Sequence, residues 1–330
     1  DWVGGPMYYI RNGLGKKWNW LAVLFSLLGA VAAFGIGNMT QVNTIAGAIN
    51  NAIDAFGGNT AANSFELFGQ MVPFSSVIIG GIVAFIVALT LFGGVKRIGT
   101  VTERLVPVMA AIYIACALAV VFTNLGAVGK VFGMIIKGAF NAEAALGGAF
   151  GITIMTTIQK GVGRGVFSNE AGLGSAPIAH AAADVDHPVK QGIFGVFEVF
   201  MDTIVICTMT ALIILLSGVE IPFGQAAGAE LTIGGFTTVY GNWVSIFTAI
   251  AMCCFAFSTI IGWNFFGKVN AEHLFGKVGV KVYSVIALVF IFLGTLTKND
   301  LVWELTDFVN YLMVLPNVMA LIALSGMVVE

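Results

Sequence analysis

Charged residues are scarce in this sequence. Asp, Glu, Lys and Arg make up 10% of the 330 residues, whereas they make up about 25% of a typical soluble domain. Hydrophobic residues account for 58%. This composition excludes an ordinary soluble domain and predicts an all-α polytopic membrane protein. The net charge of −2 gives no basis for binding nucleic acid.

Sequence motifs of metal sites and of hydrolytic enzymes are also missing. The chain has 4 cysteines and 3 histidines. No CxxC pair and no HExxH motif occurs among them, and three of the cysteines lie in separate apolar runs. Cysteines in such positions are usually small buried side chains. We therefore expect no metalloprotease or Ser/His/Asp hydrolase, and no organic cofactor.

Apolar runs long enough to cross a bilayer dominate the sequence. A span needs about 20 mostly apolar residues. Seven or eight runs qualify, namely 19–37, 74–94, 105–123, 144–160, 190–217, 242–267, 279–297 and 303–325.

Lysine and arginine concentrate in alternate loops, which predicts an orientation in the plasma (inner) membrane. The start of the chain and the loops at 96–104, 184–190 and 268–281 are then cytoplasmic. The alternation holds if the run 144–160 and a second half-helix at 172–184 form one crossing. The segment 161–171 between them is then predicted to be a break inside the membrane.

This predicted break is rich in glycine and polar residues, within the sequence GVGRGVFSNEAGLGSAPIAH. Irregular backbone at membrane depth is tolerated where it is buried in protein or lines a cavity, and many transporters bind substrate and ion there. Phe167, Ser168 and Asn169 lie at its centre and are candidate ligand contacts. Arg164 and Glu170 are costly charges for a purely structural kink, which is the alternative interpretation.

A second polar cluster is GIGNMTQVN at residues 35–43. Asn38 and Gln41 are three residues apart and are predicted to share one helix face. The alternative is a helix end that is capped and hydrated at the membrane surface.

The third cluster is FAFSTIIGWNFF at residues 255–266. The hydroxyls of Ser258 and Thr259 suit a hard cation such as sodium, and Trp263 lies one turn after Thr259 and is a candidate pocket wall. The alternative is that both hydroxyls bond carbonyls of their own helix.

An acid pair, Glu198 and Asp202, lies within the run 190–217. Acidic residues inside a membrane are functional candidates. Asp202, the deeper of the two, is expected to tune an ion site or to hold the broken helix. An intramembrane enzyme using this pair and a channel are the rival interpretations, and no motif supports either.

Four motifs together resemble the alanine or glycine:cation symporter family, also called the sodium:alanine symporters. They are GGPMYYI at 4–10, GIGNMTQVN at 35–43, GRGVFSNEAGLGSAPIAHAAA at 163–183 and VFMDTIVICTMTALI at 199–213. The resemblance implies a leucine-transporter-like fold of two inverted five-helix repeats. Spans three to ten are then present, and the chain is a fragment without the first two spans and the C-terminal end.

The resemblance also implies a domain organisation and a function. Residues 1–330 form one transporter domain, with the remainder of the first repeat in 1–143 and the second repeat, including the break, in 144–325. The implied function is sodium-coupled import of alanine or glycine by alternating access, with membrane lipid around the protein and no enzymatic activity. A proton-coupled transporter of the same fold is the alternative.

The family places the break in its sixth span and residues 258–263 in its eighth, both against the amino acid. The residues that should contact the amino acid are therefore Phe167, Ser168, Asn169, Thr259, Trp263, Gln41 and Asn38. Ser258 and Thr259 should also bind the sodium ion. Asp202, Arg164 and Glu170 are left as structural or coupling candidates.

Overall fold

The computed structural model of the protein describes residues 3–67, 69–92, 94–140, 150–221, 229–297 and 299–329. These residues are almost entirely helical. The first helices are α1 (Pro6–Gly13), α2 (Asn19–Ala32), α3 (Thr40–Ala55), α4 (Phe74–Phe92), α5 (Gly94–Thr123), α6 (Leu125–Phe140) and α7 (Phe150–Ser168). They are followed by α8 (Ala176–His180), α9 (Pro188–Val199), α10 (Thr208–Ser217), α11 (Ala229–Tyr240), α12 (Val244–Gly294), α13 (Asn299–Leu324) and α14 (Gly326–Val329).

Four short segments complete the described architecture, and the first is a 3-10 helix, Lys16–Trp18, between α1 and α2. Two π-helical segments, Ala33–Met39 and Phe200–Cys207, join α2 to α3 and α9 to α10. Between α3 and α4 lies an antiparallel hairpin of β1 (Ser64–Leu67) and β2 (Gln70–Pro73), which pairs Ser64 with Pro73.

The prediction of an all-α polytopic membrane protein is confirmed. Within the described residues, 6 helices are long and apolar enough to span a membrane. They are Lys16–Ala55, Phe74–Leu91, Arg97–Thr123, Pro188–Ser217, Val244–Gly294 and Val302–Leu324. Residues 144–149 of the predicted run 144–160, and the predicted boundary at 143/144, lie outside the described part.

The first span is longer than predicted. The sequence pattern ends it at residue 37 and predicts a loop from about residue 40, but the helix continues through the π-helical segment to Ala55. Asn38, Thr40 and Gln41 are therefore helical residues. Their side chains bond within the helix or to a neighbouring helix, which removes the need for water at a helix end.

Two predicted spans are joined in one helical run, α12. Its 51 residues would measure about 75 Å as a straight helix, whereas the apolar core of a bilayer is about 30 Å thick. The run is interrupted at Gly276, whose φ of 66° lies in the left-handed region. The predicted separation of 242–267 from 279–297 thus corresponds to a change of direction at a glycine.

The chain divides into two compact units. The larger unit comprises Asp1–Met109, Gly172–His187 and Ser245–Glu330, and the smaller comprises Ala110–Ala171 and Pro188–Val244. In the larger unit, α2 packs on α1 and α13, and α3 packs on α4. In the smaller unit, α10 packs on α11 and α6.

Two glycines bring the first π-helical segment close to its neighbours in the larger unit. A Cβ atom on Gly37 would lie 2.1 Å from the Cβ of Trp263, and one on Gly35 would lie 2.6 Å from the Thr306 Oγ1. Close approach of backbones through small residues is a common basis of helix association in membranes. The glycines thus set the spacing of α12 and α13 around this segment.

We predict that Gly37→Ala destabilises the protein by about 1–3 kcal/mol, because the added methyl group overlaps the Trp263 side chain. The measurement is the apparent melting temperature of the purified protein in detergent, which should fall by several degrees. Gly81→Ala in α4 is the matched control, since a Cβ there meets no atom within 4 Å. An equal effect of both substitutions would contradict the prediction.

Candidate functional site

The break in the fourth predicted crossing lies later than the sequence pattern indicates. The pattern places it at 161–171, but α7 remains helical to Ser168 and the non-helical residues are 169–175. The predicted half-helix 172–184 is reduced to the short helix α8.

Left-handed residues explain this shift. Glu170, Gly172 and Gly174 have φ values of 50°, 81° and 83°. The earlier glycines of the segment are helical, since one glycine costs a helix only about 1 kcal/mol relative to alanine. Backbone conformation, rather than glycine content, therefore ends the helix. A left-handed glutamate is uncommon and marks local strain.

At the N-terminal side of the break, Ser168 and Asn169 are hydrogen-bonded to other side chains of the smaller unit. The Ser168 hydroxyl donates a hydrogen bond to Oδ2 of Asp202. The Thr203 hydroxyl donates to Oδ1 of Asn169 at 2.6 Å. Asp202 and Thr203 both belong to the second π-helical segment, Phe200–Cys207. Two consecutive residues of this segment thus bond two consecutive residues of α7 and the break.

Arg164 and Phe167 form a contact along α7. The guanidinium carbon lies 5.9 Å from the centroid of the phenyl ring, which is within the range of a cation–π interaction. The charge that is costly in an apolar segment therefore has an aromatic partner one helical turn away. The two side chains therefore lie on the same face of α7.

In the larger unit, Asn38 pairs with Asn264, a residue that the sequence pattern did not single out. Both side chains are fully buried. Nδ2 of Asn264 donates to Oδ1 of Asn38 at 2.7 Å and to the Ile260 carbonyl at 2.8 Å. An asparagine beside Trp263 within an apolar run was the available signal, because a buried amide in a membrane helix needs a partner.

Thr40 and Gln41 satisfy backbone carbonyls of the first π-helical segment. The Thr40 hydroxyl donates to the Ile36 carbonyl at 2.8 Å, and Nε2 of Gln41 donates to the same oxygen at 3.1 Å. Asn38 and Gln41, predicted to share a face, thus have different partners. The amide of Gln41 stays half-buried, whereas that of Asn38 is fully enclosed.

The hydroxyls of Ser258 and Thr259 both donate to the Phe255 carbonyl, at 2.8 and 3.1 Å. This is the pattern of hydroxyls that bond their own helix. It uses their hydrogens and leaves oxygen lone pairs available to a cation. Both side chains are half-buried, whereas Trp263 is buried, and its ring forms an edge-to-face pair with the Phe266 ring, with the two centroids 5.5 Å apart.

The predicted site residues thus form two groups, each ordered within its own unit. Phe167, Ser168 and Asn169 belong to the smaller unit. Asn38, Gln41, Ser258, Thr259 and Trp263 belong to the larger one.

The whole sequence, residues 1–330, matches the sodium:alanine symporter family. The chain belongs to this family. It is therefore a membrane transport protein and not an enzyme, which removes the intramembrane enzyme with an acid pair as a rival.

Named relatives come from archaea and bacteria. The chain is 39% identical to the sodium/alanine symporter AgcS of Methanococcus maripaludis, over 100% of this chain and 68% of that protein. It is 38% identical to the amino-acid carrier protein AlsT of Bacillus subtilis, over 99% of this chain and 64% of that protein. It is 39% identical to the probable sodium/glutamine symporter GlnT of Bacillus subtilis, over 98% of this chain and 63% of that protein. The chain thus spans about two thirds of the length of these relatives.

We predict that Thr203→Val lowers the apparent affinity of this transporter for its substrate. The substitution keeps the shape of the side chain but leaves the Asn169 amide oxygen without its donor, a change of about 1 kcal/mol. The measurement is the substrate concentration at half-maximal uptake by the complete protein. Thr237→Val is the matched control, because that hydroxyl bonds the Ile233 carbonyl of its own helix. Identical affinities for both variants would refute a role for Thr203.

Proposed function

We propose that this protein is a sodium-coupled symporter that imports a small neutral amino acid, alanine or glycine, by alternating access. Membership of the sodium:alanine symporter family supports the proposal, as do the names of the relatives from Methanococcus maripaludis and Bacillus subtilis. We place it in the plasma membrane with the start of the chain in the cytoplasm. Exposed apolar side chains such as Ile193, Val196 and Phe197 then contact lipid.

The observation that carries this proposal is the left-handed break at 169–175. A helix that ends at Ser168 presents carbonyl groups, which attract a cation, and the non-helical residues 169–171 provide further backbone groups for a small ligand. Broken spans of this kind hold substrate and ion in transporters built from inverted repeats. We accordingly propose two inverted five-helix repeats, with the remainder of the first in 1–143 and the second in 144–325.

The proposed roles of individual residues follow this assignment. In the smaller unit, Phe167, Ser168 and Asn169 contact the amino acid. In the larger unit, the residues proposed to contact it are Thr259, Trp263, Gln41 and Asn38. Asn38 bonds Asn264 through its Oδ1 atom, and its buried Nδ2 is the atom proposed to donate to the ligand.

Sodium is proposed to bind the hydroxyl oxygens of Ser258 and Thr259 as a co-transported substrate. Their bonds to the Phe255 carbonyl orient both oxygens. One sodium ion moving inwards contributes about 2.3 kcal/mol per 100 mV of membrane potential. This energy drives accumulation of an uncharged amino acid.

The test is uptake of radiolabelled alanine into proteoliposomes that hold the complete protein carrying this sequence. We expect accumulation with an inward sodium gradient and none without it. Uptake that does not depend on sodium but depends on a pH gradient would show that the coupling ion is the proton. Glycine and glutamine serve as competitors, the latter because one relative is a probable sodium/glutamine symporter. No uptake of any small amino acid by folded protein would refute the substrate assignment.

We predict that Trp263→Leu extends uptake to amino acids larger than alanine. A smaller apolar side chain enlarges the proposed pocket, and leucine retains an apolar contact with Gly37. Such a change in a hydrophobic pocket alters discrimination by about 10- to 200-fold. The measurement is competition of alanine uptake by valine and leucine. Phe265→Leu on the same helix is the control, and unchanged selectivity of the Trp263 variant would exclude this residue as a pocket wall.

A further inference from the structure

The C-terminal part of the break, which begins at Gly172, is hydrogen-bonded to α13, and α13 is in turn bonded to α1. Nδ2 of Asn317 in α13 donates to the Gly172 carbonyl at 2.8 Å. The Tyr9 hydroxyl in α1 in turn donates to Oδ1 of Asn317. Gly172 is the residue at which the chain passes from the smaller unit to the larger one. Tyr9, Asn317 and Gly172 therefore form a chain of hydrogen bonds that ends on the backbone of the break.

Because these groups are buried, the donor and the acceptor of each hydrogen bond in this series can be assigned. The Asn317 side chain is 2% exposed, so an unmade bond there would be costly. Burial raises the pKa of the Tyr9 phenol, which therefore keeps its proton and donates at every physiological pH. Once the Asn317 oxygen accepts from Tyr9, its amide nitrogen faces the Gly172 carbonyl. The phenol thus sets the orientation of the amide.

The neighbouring glycine shows how closely this part of the break is packed. A Cβ on Gly174 would lie 2.5 Å from Cγ of Pro6, 2.9 Å from Cε2 of Phe25 and 3.0 Å from Cγ of Asn317. Leu173 is fully buried. Residues 172–174 therefore pack closely against α1, α2 and α13, and Asn317 of α13 supplies the hydrogen bond to the break.

We propose that Tyr9 and Asn317 are positioning residues of the transport cycle, which hold the Gly172 carbonyl so that the break keeps its substrate-binding conformation. Neither residue needs to touch the amino acid. The consequence for uptake rests on the proposed function, whereas the consequence for the backbone does not. Loss of the phenol lowers the fraction of protein in the binding conformation, and the apparent affinity falls in proportion.

The experiment compares Tyr9→Phe with Tyr8→Phe in the complete protein. The second is the matched control, since Tyr8 is the neighbouring residue of α1 and its ring contact with His273 does not need the hydroxyl. We expect Tyr9→Phe to raise the KM for uptake by about fivefold or more, with an unchanged maximal rate. We also expect faster hydrogen–deuterium exchange of the amides in 172–180, and in neither measurement an effect of Tyr8→Phe.

Asn317→Asp provides a second variant, and decides the question if Tyr9→Phe does not fold. It keeps an oxygen that accepts from Tyr9 and, at a pH at which the buried carboxyl is ionised, removes the donor to Gly172, so 172–180 should then exchange faster. Protonation of the introduced carboxyl restores a donor, so protection should recover as the pH falls. Exchange at wild-type rates in both variants, or faster exchange throughout the protein, would overturn the proposal. If the wild type transports no alanine or glycine, the proposed function fails while the exchange measurement still decides the role of Tyr9 and Asn317.

Discussion

The structure depends on the need of every backbone polar group in a membrane for a partner within the protein. The break at 169–175 violates helical bonding, so its edges rely on side chains. At its N-terminal side, Asp202 and Thr203 bond Ser168 and Asn169. In its C-terminal part, Asn317 bonds the Gly172 carbonyl. Side chains from other helices thus replace the backbone partners that the break lacks.

The two π-helical segments also rely on side-chain hydrogen bonds, but they do not interrupt the helix. A π-helical turn lengthens the loop that each hydrogen bond closes, and such turns are frequent at functional sites. In Ala33–Met39 the displaced Ile36 carbonyl is bonded by Thr40 and Gln41. In Phe200–Cys207, two consecutive side chains bond Ser168, the last residue of α7, and Asn169, the first residue of the break. Both segments place polar groups within candidate membrane-spanning helices while keeping the helix continuous.

Much of this organisation follows from the sequence alone. Long apolar runs predict the spans, and the motifs around Phe167 and Asn38 predict the family. The exact position of the break does not follow, because Gly161, Gly163 and Gly165 are compatible with a helix and only the backbone dihedrals of residues 170–174 show where it ends. Local pattern also misses Asn264 and Asn317. Their partners, Asn38 and Tyr9, lie hundreds of residues away, and one sequence contains no signal of such pairing.

The bond between Tyr9 and Asn317 joins residues that are 308 positions apart. During synthesis the segment 172–180 is made long before Asn317, and α1 is made long before either. The packing of residues 172–174 against α1, α2 and α13 is therefore completed only after α13 has been inserted into the membrane. Until then the left-handed residues have no partner on α13. The final conformation of the break is thus coupled to the insertion of α13.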